Sequence, residues 1–78
     1  MDCRDEILRI VRQIIKSKGK NEFTIIEVIR HMNNSGTGYA ERTIRTHISS
    51  RLCTNSPDNH AVTYNDFERI RKGVYKLL

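Results

Sequence analysis

The apolar positions of this 78-residue chain fall into three helical stripes followed by an alternating stretch. In the first stripe Ile7, Val11, Ile14 and Ile15 recur at the three- and four-residue steps that share one helix face, with Leu8 and Ile10 beside them. Arg9, Arg12, Gln13 and Lys16 fall on the other side, so the pattern predicts an amphipathic helix over about residues 2–17. Acids in its first turn and lysines in its last complement the helix dipole, and Lys18-Gly19-Lys20 ends it. Glu22-Phe23-Thr24 predicts a short strand over about residues 22–24. Thr24 with Glu27 three residues on matches a capping box, whose side chains satisfy the free backbone donors of a helix start. A second helix is therefore expected over about residues 25–33. Ile25, Val28, Ile29 and Met32 form its inner stripe, and Asn33-Asn34-Ser35-Gly36 closes it with residues that tolerate a left-handed cap.

The third stripe, Ala40, Ile44, Ile48 and Leu52, predicts a helix over about residues 39–52. Its opposite face carries Tyr39, Arg42, Thr46, Ser49 and Ser50, with Thr43 on the flank. Short hydroxyls and arginines replace the Glu and Lys of an ordinary solvated face. Residues 53–60 are rich in turn formers and include the single proline, Pro57, so the helix cannot continue through them. Beyond them Phe67-Glu68-Arg69-Ile70 and Val74-Tyr75-Lys76-Leu77-Leu78 alternate around Arg71-Lys72-Gly73, predicting a β-hairpin over about residues 67–78.

The expected architecture is α+β, a winged helix-turn-helix: three helices, a short strand and a C-terminal hairpin wing in one domain spanning residues 1–78. The connection holding Gly36, Thr37 and Gly38 is longer than that of a compact helix-turn-helix and suits a winged domain better. Gly36-Thr37-Gly38-Tyr39, Thr43-Ile44-Arg45-Thr46-His47-Ile48, Asn59-His60, Tyr64-Asn65-Asp66-Phe67-Glu68-Arg69 and Gly73-Val74-Tyr75 together resemble a group of small bacterial winged-helix domains. Those domains occur alone or fused to restriction-type and other defence nucleases, and the resemblance covers about Glu6 to Leu78. It implies double-stranded DNA binding, service to a restriction, defence or regulatory protein, and sensitivity to base modification. It also implies that Arg71 and Lys72, at the hairpin tip, meet phosphates or the minor groove.

Charge agrees with an anionic partner. The formal net charge is +5, and it is spread along the chain: seven Lys/Arg against five Asp/Glu in residues 1–39, and seven against four in residues 40–78. Were the third helix to enter a major groove, Arg42 and Arg45 would reach guanine edges or phosphates. Thr43, Thr46, Ser49 and Ser50 would make short-range contacts, and Tyr39 would stack near the helix start. A bland reading stands beside each: solvated arginines, a soluble hairpin turn at Arg71-Lys72, a packing Thr43, and a Tyr39 packed with its hydroxyl at the surface.

The remaining chemistry is sparse. Cys3 and Cys53 fit no zinc or thioredoxin-like spacing and are expected as reduced thiols of a cytoplasmic protein. His31, His47 and His60 match no metal motif, and Asp58, Asp66 and Glu68 form no catalytic cluster, so neither an enzyme, a metal site nor a cofactor is expected. Tyr64 and Tyr75 are expected to support the core or a loop, and Asn59-His60 and Tyr64-Asn65-Asp66 to brace a loop by hydrogen bonds. No signal-peptide pattern or long apolar run points to a membrane. The alternative to DNA binding is a winged-helix module for dimerisation or docking to a protein such as a nuclease.

Overall fold

A computed structural model of the chain describes residues 2–54 and 64–78. The expectations for Pro57, Asp58 and Asn59-His60 therefore lie outside the described residues. The elements are α1 (Cys3–Lys18), β1 (Phe23–Thr24), α2 (Ile25–Asn34), α3 (Glu41–Thr46) continuing into one π-helical turn (His47–Arg51), then β2 (Phe67–Arg71) and β3 (Val74–Leu77). The fold is α+β, with three helices and one three-stranded antiparallel sheet in the order β1-β3-β2.

Local chemistry accounts for the first half. Asp2 caps α1 by accepting from the Asp5 backbone N–H at 2.9 Å, and Gly19 closes it. The capping box of α2 is complete: Thr24 Oγ1 accepts from Glu27 N–H at 3.1 Å while Glu27 Oε1 accepts from Thr24 N–H at 2.8 Å. At the other end of α2, Gly36 takes a left-handed φ of 77°. Its N–H donates to the Asn33 carbonyl and that of Thr37 to the Met32 carbonyl, the paired bonds of a Schellman cap.

The core lies between the helices and the sheet. Ile7, Val11, Phe23, Val28, Met32, Ile44, Ile48, Leu52 and Phe67 are completely buried. Phe23 meets Phe67 edge to face at 4.9 Å and stacks on Tyr75 at 6.0 Å, so all three strands contribute an aromatic ring to one cluster. Phe23 pairs with Tyr75 and Thr24 with Val74, which ties the start of α2 to β3. Asn21 reinforces the tie by accepting from Leu77 N–H and donating to Leu77 O. The hairpin turns at Lys72-Gly73, with Gly73 at φ 74°, and its register shifts between Arg69 and Arg71. Cys3 and Cys53 are buried and form no disulfide among the described residues, and burial, followed by Glu6 and Asp2, pushes the Cys3 thiol up.

Helix three departs from its expected bounds. It starts at Glu41 rather than 39, because Ala40 is still extended (ψ 152°) and offers no side-chain cap. It remains α-helical only to Thr46; from there Leu52 N–H reaches back five residues to His47 O at 2.9 Å. Four α-helical residues overshoot one turn and four π-helical residues undershoot it, so the wide turn returns Leu52 to the buried side of Ile44 and Ile48. The chain then closes on this end. Tyr64 N–H donates to Arg51 O at 2.7 Å, and Asp66 and Phe67 N–H both donate to Leu52 O, at 3.1 and 2.9 Å.

Candidate nucleic-acid interface

Helix three divides into a solvated first half and a packed second half. Arg42, Arg45 and Thr46 are exposed while Ile44, between them in sequence, is completely buried. Arg45 donates to Glu41 Oε1 through Nε at 3.3 Å and Nη2 at 3.2 Å, an i,i+4 pair with both side chains about half exposed or more. Such a pair is worth roughly 0.3–0.5 kcal/mol, so a phosphate can take the guanidinium over at small cost. No ion pair engages Arg42 among the described residues.

Thr43 is half-buried, and its carbonyl is held by His47 Nδ1 at 2.9 Å. His47 is itself half-buried on the helix flank. The half-buried Ser49 donates its hydroxyl to Arg45 O at 2.8 Å, which leaves only its oxygen lone pairs for a partner. Ser50 is not on an outward face: it is only 6% exposed. The wheel that assigns it to solvent uses one α-helical angular step throughout, and that step fails beyond Thr46. The returning chain at residues 64–67 also makes this end of the helix a packed one. Tyr39 precedes the helix, and its half-buried ring packs against the core. Burial, with Cys3, Glu6 and Asp2 nearby, raises its phenol.

The hairpin tip supplies a second basic point. Lys72 is exposed without an ion-pair partner among the described residues, and Arg71 Nη2 lies 3.4 Å from Glu22 Oε2. Lys20 shares the same oxygen at 3.3 Å. Burial raises the Glu22 carboxyl, but the Lys20 hydrogen bond and the charges of Lys20 and Arg71 outweigh it and hold the group below its ordinary range.

Sequence reasoning misses a third cluster. Arg4 Nε and Nη2 donate to Asp66 Oδ2 and Oδ1 at 2.9 and 3.0 Å, and the same guanidinium lies 4.2 Å from the centre of the Tyr64 ring. Thr54 donates to Asn65 Oδ1 at 3.1 Å. Tyr64, Asn65 and Asp66 thus brace the return from helix three, as expected, but Arg4, the partner of Tyr64 and Asp66, lies 62 residues from Asp66 on α1, where no local signal marks it. Beside this brace a cavity of about 170 Å³ is lined by Asp2, Arg4, His47, Arg51, Leu52 and Tyr64.

Among the described residues no group of three or more His, Cys, Asp or Glu could hold a metal ion, and no helix is long and apolar enough to cross a membrane. No curated protein and no solved structure matches the chain. A family model does: residues 5–77 match DUF7669, a domain of unknown function, and the chain belongs to that family.

Proposed function

We propose that the protein is a winged-helix module that binds double-stranded DNA, with helix three in the major groove and the hairpin tip at Arg71-Lys72 on the backbone or in the adjacent minor groove. The observation that carries this reading is the solvated half of helix three. Arg42, Arg45 and Thr46 stand out on a helix fixed from behind by Ile44 and Ile48. Arginines supply bidentate donors for guanine or phosphate, and the short Thr46 lets the helix approach closely. The element order agrees, a capped α2 leading through a glycine-containing turn into helix three and the hairpin following. By its resemblance to domains joined to restriction and defence nucleases, the module serves such a protein or a regulator and senses base modification.

Titration of fluorescent duplex DNA at two salt concentrations, with an Arg42→Ala/Arg45→Ala double variant alongside, tests the reading. Expected are a loss of at least tenfold in affinity for the variant and a fall of about two units in its salt slope, roughly one per phosphate contact removed. Binding indifferent to salt and to both substitutions would overturn it. Equal affinity for methylated and unmethylated duplexes would remove base-modification sensing alone.

The second reading, a protein-docking module, draws on Ile26 (52% exposed) and Ile70 (41%), which stand on α2 and β2 rather than on helix three. An Ile26→Ser/Ile70→Ser variant that binds duplex DNA like the parent chain separates the two.

A further inference from the structure

Among the described residues, three parts of the chain that meet only in the fold line the cavity at the C-terminal end of helix three. The π-helical turn contributes His47 and Arg51, with Leu52 just beyond it. The start of α1 contributes Asp2 and Arg4, and the return segment contributes Tyr64. At about 170 Å³ it is smaller than the roughly 300–1,000 Å³ of pockets for drug-sized ligands, so it suits a single ring system.

Its walls offer both hydrogen-bonding polarities. Arg51 is a pure donor with no side-chain ion pair among the described residues. Asp2 is a pure acceptor: one carboxylate oxygen caps Asp5 N–H at 2.9 Å, which fixes the side chain and leaves the other oxygen for a ligand. His47 adds an acceptor. Its Nδ1 faces the Thr43 carbonyl, which can only accept, so Nδ1 carries the hydrogen and in the neutral ring Nε2 is the acceptor. No ion pair joins Asp2 to Arg51 across the cavity among the described residues. Leu52 borders the cavity but is completely buried, so the stacking surface is the exposed Tyr64 ring, whose one face is covered by Arg4. Arg4 is itself neutralised by Asp66, so the lining side chains leave little net positive charge for an anion.

We propose that this cavity binds one nucleobase. A base is planar, presents donors and acceptors on one edge and offers an apolar face to an aromatic ring, which is the combination these walls complement. The base can come from a free nucleoside or from an unpaired position of a nucleic acid. In the second case the site extends the DNA-binding reading, and it then rests on that reading.

Titrating the full chain with adenosine, guanosine, cytidine and thymidine, followed by backbone amide NMR shifts, tests the site directly. At least one nucleoside should produce saturable shifts at His47, Arg51, Leu52 and Tyr64. Arg51→Ala and Asp2→Asn should each weaken it at least tenfold, and asparagine retains the helix cap so that the fold survives the second change. Ribose 5-phosphate should leave these amides unmoved; equal shifts with it would overturn base recognition. A parallel comparison of a perfect duplex with one carrying a single unpaired base identifies the source. A preference for the unpaired base that disappears in Asp2→Asn supports an extruded base, and nucleoside binding without that preference supports a free one. Absence of both overturns the site. Saturable nucleoside binding by a chain that ignores perfect duplex DNA would leave this site standing and overturn only the duplex-binding proposal.

Discussion

The second and third helices are neighbours of similar length held by opposite means. α2 carries its own instructions, with a reciprocal capping box at one end and a Schellman cap at the other. Helix three has no side-chain cap at Ala40, and it ends in a π-helical turn fixed by donors from residues 64–67. One helix is shaped by its own sequence, the other by what it packs on. The helix with fewer internal restraints is also the one that presents Arg42, Arg45 and Thr46 to solvent. That exposed face is thus set by the burial of Ile44 and Ile48 behind it rather than by caps at its ends.

The comparison breaks most sharply if the anchor behind helix three is removed. Ile48→Ala should cost about 2–5 kcal/mol in denaturant unfolding, because Ile48 is completely buried and no local cap compensates. A cost below about 1 kcal/mol would mean that helix three stands without its packing. Thr24→Ala should cost roughly 1 kcal/mol in the same measurement, since it removes one half of the α2 capping box and unseats the other. The converse experiment is Ala40→Asp, which gives helix three the N-cap it lacks and should raise stability by about 0.5–1 kcal/mol. An unchanged melting temperature would show that the tertiary contacts already saturate this end.

The smallest effect is one of pH. Burial pushes the Glu27 carboxyl up, but the Lys18 hydrogen bond at 2.9 Å and the bond from Thr24 N–H outweigh it and hold the group below its ordinary value of 4.5. A carboxyl depressed in the folded state contributes stability above 4.5 and loses it as pH falls through the lower folded value. Acid titration of Glu27→Gln should therefore show a shallower loss of stability below about pH 4.5 than the parent chain, with little difference in slope above it.

Features written in neighbouring residues are the ones legible in the sequence. The capping box, the glycine closing α2, the apolar stripes of α1 and α2 and the Gly73 hairpin all depend on residues a few positions apart, and each stands within a residue or two of its expected bounds. Features that depend on distant partners are not legible. Nothing near residue 4 foretells a salt bridge to Asp66, and nothing near Phe23 says that it pairs with Tyr75. Ser50 is misplaced for the same reason. The wheel assumes a uniform helix, whereas the turn at His47–Arg51 widens to fit a chain that returns sixteen residues after Ile48, at Tyr64. Of the candidate interface, Arg42, Arg45, Thr46 and Lys72 were readable as exposed positions because α-helical periodicity and hairpin chemistry hold where they sit.

The strand order β1-β3-β2 also sets a timetable. Both strand pairings of the sheet use Val74–Leu77, the strand that leaves the ribosome last of the three. Phe23–Thr24 and Phe67–Arg71 have no native partner in each other, so the sheet cannot be half built during synthesis. Native pairing of either outer strand therefore waits for one four-residue segment, which makes both seams. A nascent chain organised in this way offers no prematurely paired hairpin whose open edge could recruit a neighbouring chain.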